Sequence, residues 1–180
     1  MMEKIQYTQQ TDSPLGSITM ASDGEALTGL WFAGQKYFAS TLGTLLQERR
    51  LPIFDEAKRW LEIYFQGRKP DFTPKLNPCG TTFRREVWNI LLQIPYGTTL
   101  TYRAIGRQYA LSHGLSHMSA QAIGGAVGRN PISLIIPCHR VVGSNGSLTG
   151  YAGGIDRKIA LLRLEGAYHT QLLSPAETKW

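Results

Sequence analysis

The sequence predicts two folded parts in series: a small α/β domain built on an antiparallel sheet, then a mostly α-helical domain containing a helix-turn-helix. Three observations carry this. Tyr7 to Phe32 alternates short apolar stretches with turn clusters, and Phe83 to Val127 holds three helical segments separated by caps and stops. Gln66 to Cys79, between them, is rich in proline and polar residues and reads as a linker. The expected division is a supporting domain over 1–78 and a second domain over 79–180.

In the first part, Asp12-Ser13-Pro14-Leu15-Gly16-Ser17 and Ser22-Asp23-Gly24 are turn clusters. Ile18, Met20, Leu27, Leu30 and Phe32 supply the apolar strand positions. Ala57, Trp60, Leu61, Tyr64 and Phe65 share one face of a helix that Gly67 can end. In the second part, Phe83, Val87, Ile90, Leu91 and Ile94 recur at helical spacing until Pro95-Tyr96-Gly97. Thr101 can cap a helix from Tyr102 to about Tyr109, and a polar connector, Ser112 to His117, leads to a third helix from Ser119 to about Val127. Helix, turn, helix in a basic region is a DNA-docking arrangement, although any three-helix domain shows the same pattern. The third helix is made of small residues, which let a backbone approach a ligand closely. The run Ile132-Ser133-Leu134-Ile135-Ile136 predicts a buried strand that Pro137 stops. Val141-Val142 then enters a hairpin-type turn, Gly143 to Ser147. Gly150-Tyr151-Ala152-Gly153-Gly154 reads as a flexible pocket wall, and a last helix, Ile155 to Glu165, buries Ile155, Ile159 and Leu162 before Gly166.

The net charge of +6 is unevenly placed. Basic and acidic residues balance through residue 80, so the excess lies in the second half, where polyanion binding belongs if it occurs. The two cysteines, Cys79 and Cys138, match no zinc spacing and are too few for a disulfide scaffold, so both read as reduced thiols. The first residues lack an apolar leader and no run reaches membrane-spanning length, which predicts a soluble, cytoplasmic protein.

Pro137-Cys138-His139-Arg140-Val141 places a thiol beside an imidazole at the end of an apolar run. A free cysteine can simply pack as a small hydrophobe. The basic and titratable neighbours and the glycine-rich loop that follows argue instead for a reactive thiol. Nucleophilic work needs a thiolate and hence a base, and His139 is the candidate. Adjacent residues of an extended segment point to opposite faces, so a bridging water is the expected link. An imidazole also needs an orienting group. The carboxylates of this half are Glu86, Asp156, Glu165 and Glu177. Glu165 stands out because the macrodipole disfavours an anion in a last helical turn, by about 0.3–1 kcal/mol.

Asn130-Pro131, Pro137-Cys138-His139-Arg140-Val141, Gly150-Tyr151-Ala152-Gly153-Gly154 and Leu162-Arg163-Leu164-Glu165-Gly166 together resemble the O6-alkylguanine-DNA alkyltransferases, from about Phe83 to Gly166. The resemblance implies an RNase H-like first domain. It implies a protein that binds duplex DNA through the minor groove, flips out an O6-alkylguanine, and takes the alkyl group irreversibly onto Cys138, once per molecule. O4-methylthymine is a further expected substrate. His139 would act through a water, with Glu165 orienting it, and Asn130 would tie the helix-turn-helix to the active-site segment. Tyr102 would assist flipping and hydrogen-bond the purine. Tyr151 and Ala152 would form the lid, and the carbonyls of Cys138 and Val141 would receive the guanine amino group. Gln121, Ala120, Arg129 and Arg84 are the expected DNA contacts. No cofactor and no metal are expected, and the protein would act as a monomer.

The chain departs from the family pattern in two places. Gln121 stands where an arginine is usual, and the 112–117 connector is longer. These keep a second reading open, an alkylated-base binding protein with weak or no transfer. A Cys-His hydrolase would need a direct thiolate–imidazole pair, which adjacency makes awkward. His113 and His117, four apart, lack the further ligands a metal would need.

Overall fold

The computed structural model describes residues 5–148, 150–169 and 172, and these divide into two compact units. One runs through Cys79 and also includes Pro131–Ile135; the other holds Gly80–Asn130 and the chain from Ile136 onward. A boundary at 78/79 therefore leaves six residues of the second half, Cys79 and Pro131–Ile135, in the first unit.

The first unit is a four-stranded sheet with one helix. Strands β1 (Gln6–Thr11), β2 (Ile18–Ser22) and β3 (Leu27–Phe32) form the antiparallel meander that the turn clusters predict. A fourth strand, β4 (Leu46–Glu48), joins β1 in parallel, so the order is β3-β2-β1-β4 and the sheet is mixed. Its three residues are all exposed, and without a buried face they carry no alternation to read. Helix α1 (Pro52–Phe65) starts before the expected Ala57, with proline in its first turn, where the missing N–H costs nothing. It buries Phe54, Ala57, Trp60, Leu61 and Tyr64.

Two segments differ from expectation here. Part of the presumed linker is pinned to β3: the Leu27 N–H donates to the Lys75 carbonyl at 2.8 Å, and the Asn77 N–H donates to the Leu27 carbonyl at 2.7 Å. The expected strand over Ile132–Ile136 shrinks to one bridge, Leu30 with Ile132. Pro131 and Ser133 complete their backbone pairing with Leu30, and the Ser133 hydroxyl donates to Gln35 Oε1 at 3.1 Å. The chain then breaks from extension at Leu134, whose φ is +69°, and the Ile135 N–H turns back to the Ser133 carbonyl. An apolar run flanked by prolines is buried here without being a strand.

The second unit is mostly helical. Helices α2 (Thr82–Leu92), α3 (Tyr102–Ser112) and α4 (Ala120–Gly128) begin at Thr81, Thr101 and Ser119, whose hydroxyls accept from the amides of Arg84, Ala104 and Ala122. The α3–connector–α4 arrangement is the predicted helix-turn-helix. Buried Trp88 of α2 donates its indole N–H to the Ala126 carbonyl at 2.9 Å, tying α2 to the end of α4. Two short strands, β5 (Leu100–Thr101) and β6 (Val141–Val142), pair in parallel, so Val141-Val142 is not a hairpin arm, although Gly143 and Ser147 do close a turn. Helix α5 (Ile155–Leu164) buries Lys158, Leu161 and Leu162, while Ile155 and Ile159 stay half-buried. No helix of the described residues is long and apolar enough to cross a membrane. Glu177 lies outside the described residues.

Candidate active site

Cys138 is not carried on a strand end. Pro137 (φ −82°, ψ +62°) forms a tight three-residue turn closed by the Cys138 N–H on the Ile136 carbonyl at 2.8 Å, and a 3₁₀ turn over Cys138–Arg140 follows. The alternation expected of an extended pair does not apply there, and Cys138, His139 and Arg140 are all buried. Asn130, just beyond α4, fixes this turn. Its Nδ2 donates to the Ile136 carbonyl at 2.8 Å and to the Cys138 sulfur at 3.1 Å.

His139 is fully buried, and its Nε2 lies 2.6 Å from Glu165 Oε1. Glu165 is ionised, so the carboxylate accepts and Nε2 carries the proton. In that tautomer Nδ1 is the basic nitrogen. Arg140 clasps the same carboxylate with Nε at 2.8 Å and Nη2 at 3.1 Å, and its Nη1 reaches the Ile94 carbonyl at 2.7 Å. The Gly97 N–H adds a contact to Glu165 Oε2 at 3.2 Å. Gly97 sits at φ +77°, and a Cβ there would come within 3.0 Å of the Glu165 carbonyl, so the close approach requires glycine. Burial alone would raise the Glu165 pKa, but the hydrogen bonds and charges of His139 and Arg140 outweigh it and hold it at about 2. The anion at the end of α5 has its compensating partners.

Burial likewise pushes the Cys138 thiol up, opposed by the Asn130 hydrogen bond, the charge of Lys158 and backbone hydrogen bonds. It pushes His139 down, against Glu165. The resting state is therefore a protonated thiol beside a neutral imidazole. Lys158 is the group that sequence reasoning missed. It is fully buried, donates to the Val141 carbonyl at 2.5 Å, and has its pKa lowered to about 8, by burial against the attraction of Cys138. A signal existed: Lys158 lies seven residues, two helical turns, before Glu165, and so on the same face of α5. The role of Arg140, inside the motif, also went unread.

The other expected site residues fall into two groups. Tyr102 opens α3; its ring lies over Gly124, its hydroxyl comes close to Gly150, and burial followed by the charge of Cys138 raises its pKa to about 12. Tyr151 is buried, its ring edge-on to that of His139 with centroids 6.5 Å apart, and Ala152 beside it is half-buried. The Val141 carbonyl accepts from Lys158. Tyr102, Asn130, Cys138, His139, Val141, Tyr151 and Glu165 thus belong to one centre. Ala120, Gln121 and Arg129 are instead exposed at the two ends of α4, and Arg84 is half-buried in the first turn of α2. His113 is taken up by Tyr109 and Glu86.

A helix-turn-helix unit with a buried thiol held by Asn130, next in the chain to an imidazole hydrogen-bonded to a carboxylate, has the make-up of a DNA-directed protein that works through a cysteine. Residues 82–167 match the family described as 6-O-methylguanine DNA methyltransferase, DNA binding domain, and residues 6–78 match its ribonuclease-like domain. A methylated-DNA–protein-cysteine methyltransferase of Mycobacterium leprae is 42% identical over 159 residues, covering 88% of this chain and 92% of the relative. One of Methanosarcina acetivorans is 43% identical over 156 residues, covering 87% and 96%. The crystal structure of Mycobacterium tuberculosis OGT in complex with DNA superposes with a TM-score of 0.76 at 41% identity, covering 91% of this chain and 93% of that one. The chain belongs to the methylated-DNA–protein-cysteine methyltransferase family of DNA-repair alkyltransferases.

Proposed function

We propose that the protein repairs O6-alkylguanine, and more slowly O4-methylthymine, by moving the alkyl group from the base to Cys138. The observation that carries this is the run of contacts from Glu165 to His139, with the Cys138 sulfur held by Asn130 and under the charge of Lys158. A merely structural thiol has no use for a buried base with its own ionised orienting carboxylate. The family match supports the choice of substrate.

The chemistry follows from the protonation states. His139 Nδ1 takes the thiol proton, through a water, and Glu165 stabilises the imidazolium that results. The thiolate attacks the alkyl carbon, a carbon–sulfur bond forms, and the bond to O6 breaks. The electron pair leaves with the purine; Tyr102, still protonated with a pKa of about 12, hydrogen-bonds the leaving ring or hands it a proton, and the proton that His139 took from the thiol restores the balance. The thioether has no leaving group, so one molecule acts once. A base inside a duplex cannot reach a buried sulfur, so it must be flipped out, and a damaged pair is cheaper to open. The exposed side of α4, with Ala120, Gln121 and Gly125, suits a minor groove, with Arg129 and Arg84 on the phosphates. The protein would act as a monomer in the cytoplasm, without cofactor or metal.

The test is incubation with duplex DNA containing O6-methylguanine, followed by mass spectrometry. The peptide containing Cys138 gains one methyl group and the Cys79 peptide gains none. No gain with excess substrate rejects the reading, and tight binding without gain establishes the sensing alternative that Gln121 keeps open.

A further inference from the structure

The connector of the helix-turn-helix starts at a group of side chains outside the cysteine centre. His113 follows the last residue of α3 and folds back on that helix. Its Nδ1 lies 2.9 Å from the Tyr109 carbonyl, and its Nε2 lies 3.4 Å from Glu86 Oε2 on α2. The Ser112 hydroxyl, also beside Nδ1, donates to the same carbonyl at 2.8 Å. A carbonyl only accepts, and so does an ionised carboxylate, while a neutral imidazole has one N–H to give. Both contacts are made together only by the imidazolium. Two further features favour that cation. It sits at a helix C-terminus, and its ring stacks on that of Tyr109 with centroids 4.1 Å apart and planes 15° apart. Tyr109 itself donates its hydroxyl to Glu86 Oε2 at 3.1 Å and meets Phe83 of α2 edge-on. The far end of the connector is fixed too: a Cβ on Gly106 of α3 would come within 2.9 Å of the Met118 carbonyl.

We propose that His113 is a positioning residue for DNA docking, whose imidazolium latches the start of the connector to α2 and so fixes how the chain enters α4. This deepens the DNA-binding part of the proposed function and rests on it. Ser119, which caps α4, follows Met118 directly, so a connector held at both ends keeps the exposed side of α4 in one place. The titratable and charged groups that face the imidazole are Glu86 from α2 and Tyr109 from α3. The hydrogen bond to the Tyr109 carbonyl, and then Glu86, outweigh partial burial and raise the His113 pKa above its ordinary 6.5. The latch is therefore complete below that pH and is lost as pH rises through the raised midpoint.

The test follows the His113 ring by NMR across a pH series, and binding of an undamaged duplex by fluorescence anisotropy over the same series. In the wild type, affinity should fall about threefold as His113 loses its proton, the scale of a partly exposed ion pair. Glu86→Gln and His113→Gln change the surface charge in opposite senses, yet both remove the latch. Their side chains are 37% and 36% exposed, so neither change empties the core. Each should weaken binding about threefold at the acid end and flatten its pH step, and the loss should fall on affinity rather than on transfer at saturating DNA. Glu86→Gln should also lower the His113 midpoint. A plain charge effect predicts the reverse for one of them, because removing an anion tightens binding to a polyanion. Glu86→Gln binding as tightly as the wild type or more tightly overturns the proposal, and so does a wild-type affinity that ignores the His113 titration. Undamaged DNA has no alkyl group to move. A protein that docks but takes no methyl group would defeat the repair reading while the latch is still scored.

Discussion

The two units bury their polar groups in different ways. In the first, the buried polar side chains are Ser22, Thr28, Gln35 and Ser133, all neutral, with Gln35 accepting from the Phe32 N–H and the Ser133 hydroxyl. In the second they include His139, Arg140, Lys158 and Glu165, and every buried charged side chain among the described residues is there. Burying ions offers little stability over a well-packed apolar core, and under the proposed function the second unit accepts that for a thiol that must ionise. Changes inside the charged cluster should thus move activity and stability strongly and sometimes in opposite directions. Changes in the first unit should move stability alone.

The largest effect is expected at Glu165. Glu165→Gln leaves Arg140 buried without its anion and gives His139 at best a neutral acceptor, which no longer stabilises an imidazolium. Breaking a buried pair this way costs about 3–5 kcal/mol, readable by chemical denaturation. Transfer should fall by about a hundredfold or more, in the usual range for losing general base assistance. Gln35→Met in the first unit loses only neutral hydrogen bonds, so it should cost about 1–3 kcal/mol and leave the transfer rate of folded protein unchanged. Equal stability losses for the two would break the comparison.

Lys158→Met should separate stability from reactivity. Its amine is fully buried with a single oxygen partner among the described residues, at 2.5 Å, and burial disfavours its charge. Replacing it with an apolar chain of similar length should leave stability unchanged or raise it by about 1 kcal/mol. Without the cation, the Cys138 thiol should titrate higher and transfer should slow by about tenfold or more. A variant both less stable and equally reactive would mean that Lys158 only packs.

Acid should reveal the same cluster in two stages. His139 is lowered from 6.5, so the native state prefers it neutral and its contribution is complete above that pH and lost on acidification. Glu165 is lowered from 4.5 to about 2, so its contribution is complete above pH 4.5 and lost as pH falls towards 2. Denaturation midpoints measured across this range should drop in the wild type, and Glu165→Gln should lack the lower stage.

These residues also show what the sequence could and could not disclose. The meander, the three capped helices and the Cys-His-Arg run were legible because periodicity and caps are local signals. Glu165 was legible because an anion at a helix end asks for a partner. The turn at Leu134, with φ +69°, was not, because an apolar run reads as a strand whichever way its backbone bends. Nor was β4, which has no buried face. Lys158 escaped because a lysine between isoleucines on a helix usually extends its amine to water. The partner it meets inside, the Val141 carbonyl, lies seventeen residues away.

The smallest effect is expected on the exposed side of the helix-turn-helix, at Gln121. It lies in the first turn of α4, exposed, while the buried face of that helix is Ile123, Ala126 and Val127. Gln121→Arg adds a charge without touching the interior, so stability and the Cys138 thiol titration should stay where they are. One more cation near phosphate should strengthen duplex binding a few-fold at low salt and steepen the slope of log affinity against log salt by about 0.9. If the transfer rate at saturating DNA also rises, Gln121 limits the opening of the base pair, and docking and chemistry are coupled through α4. If only affinity changes, the surface that holds DNA and the buried charges that activate the sulfur are independent. Fluorescence anisotropy across a salt series, paired with single-turnover transfer, separates the two outcomes.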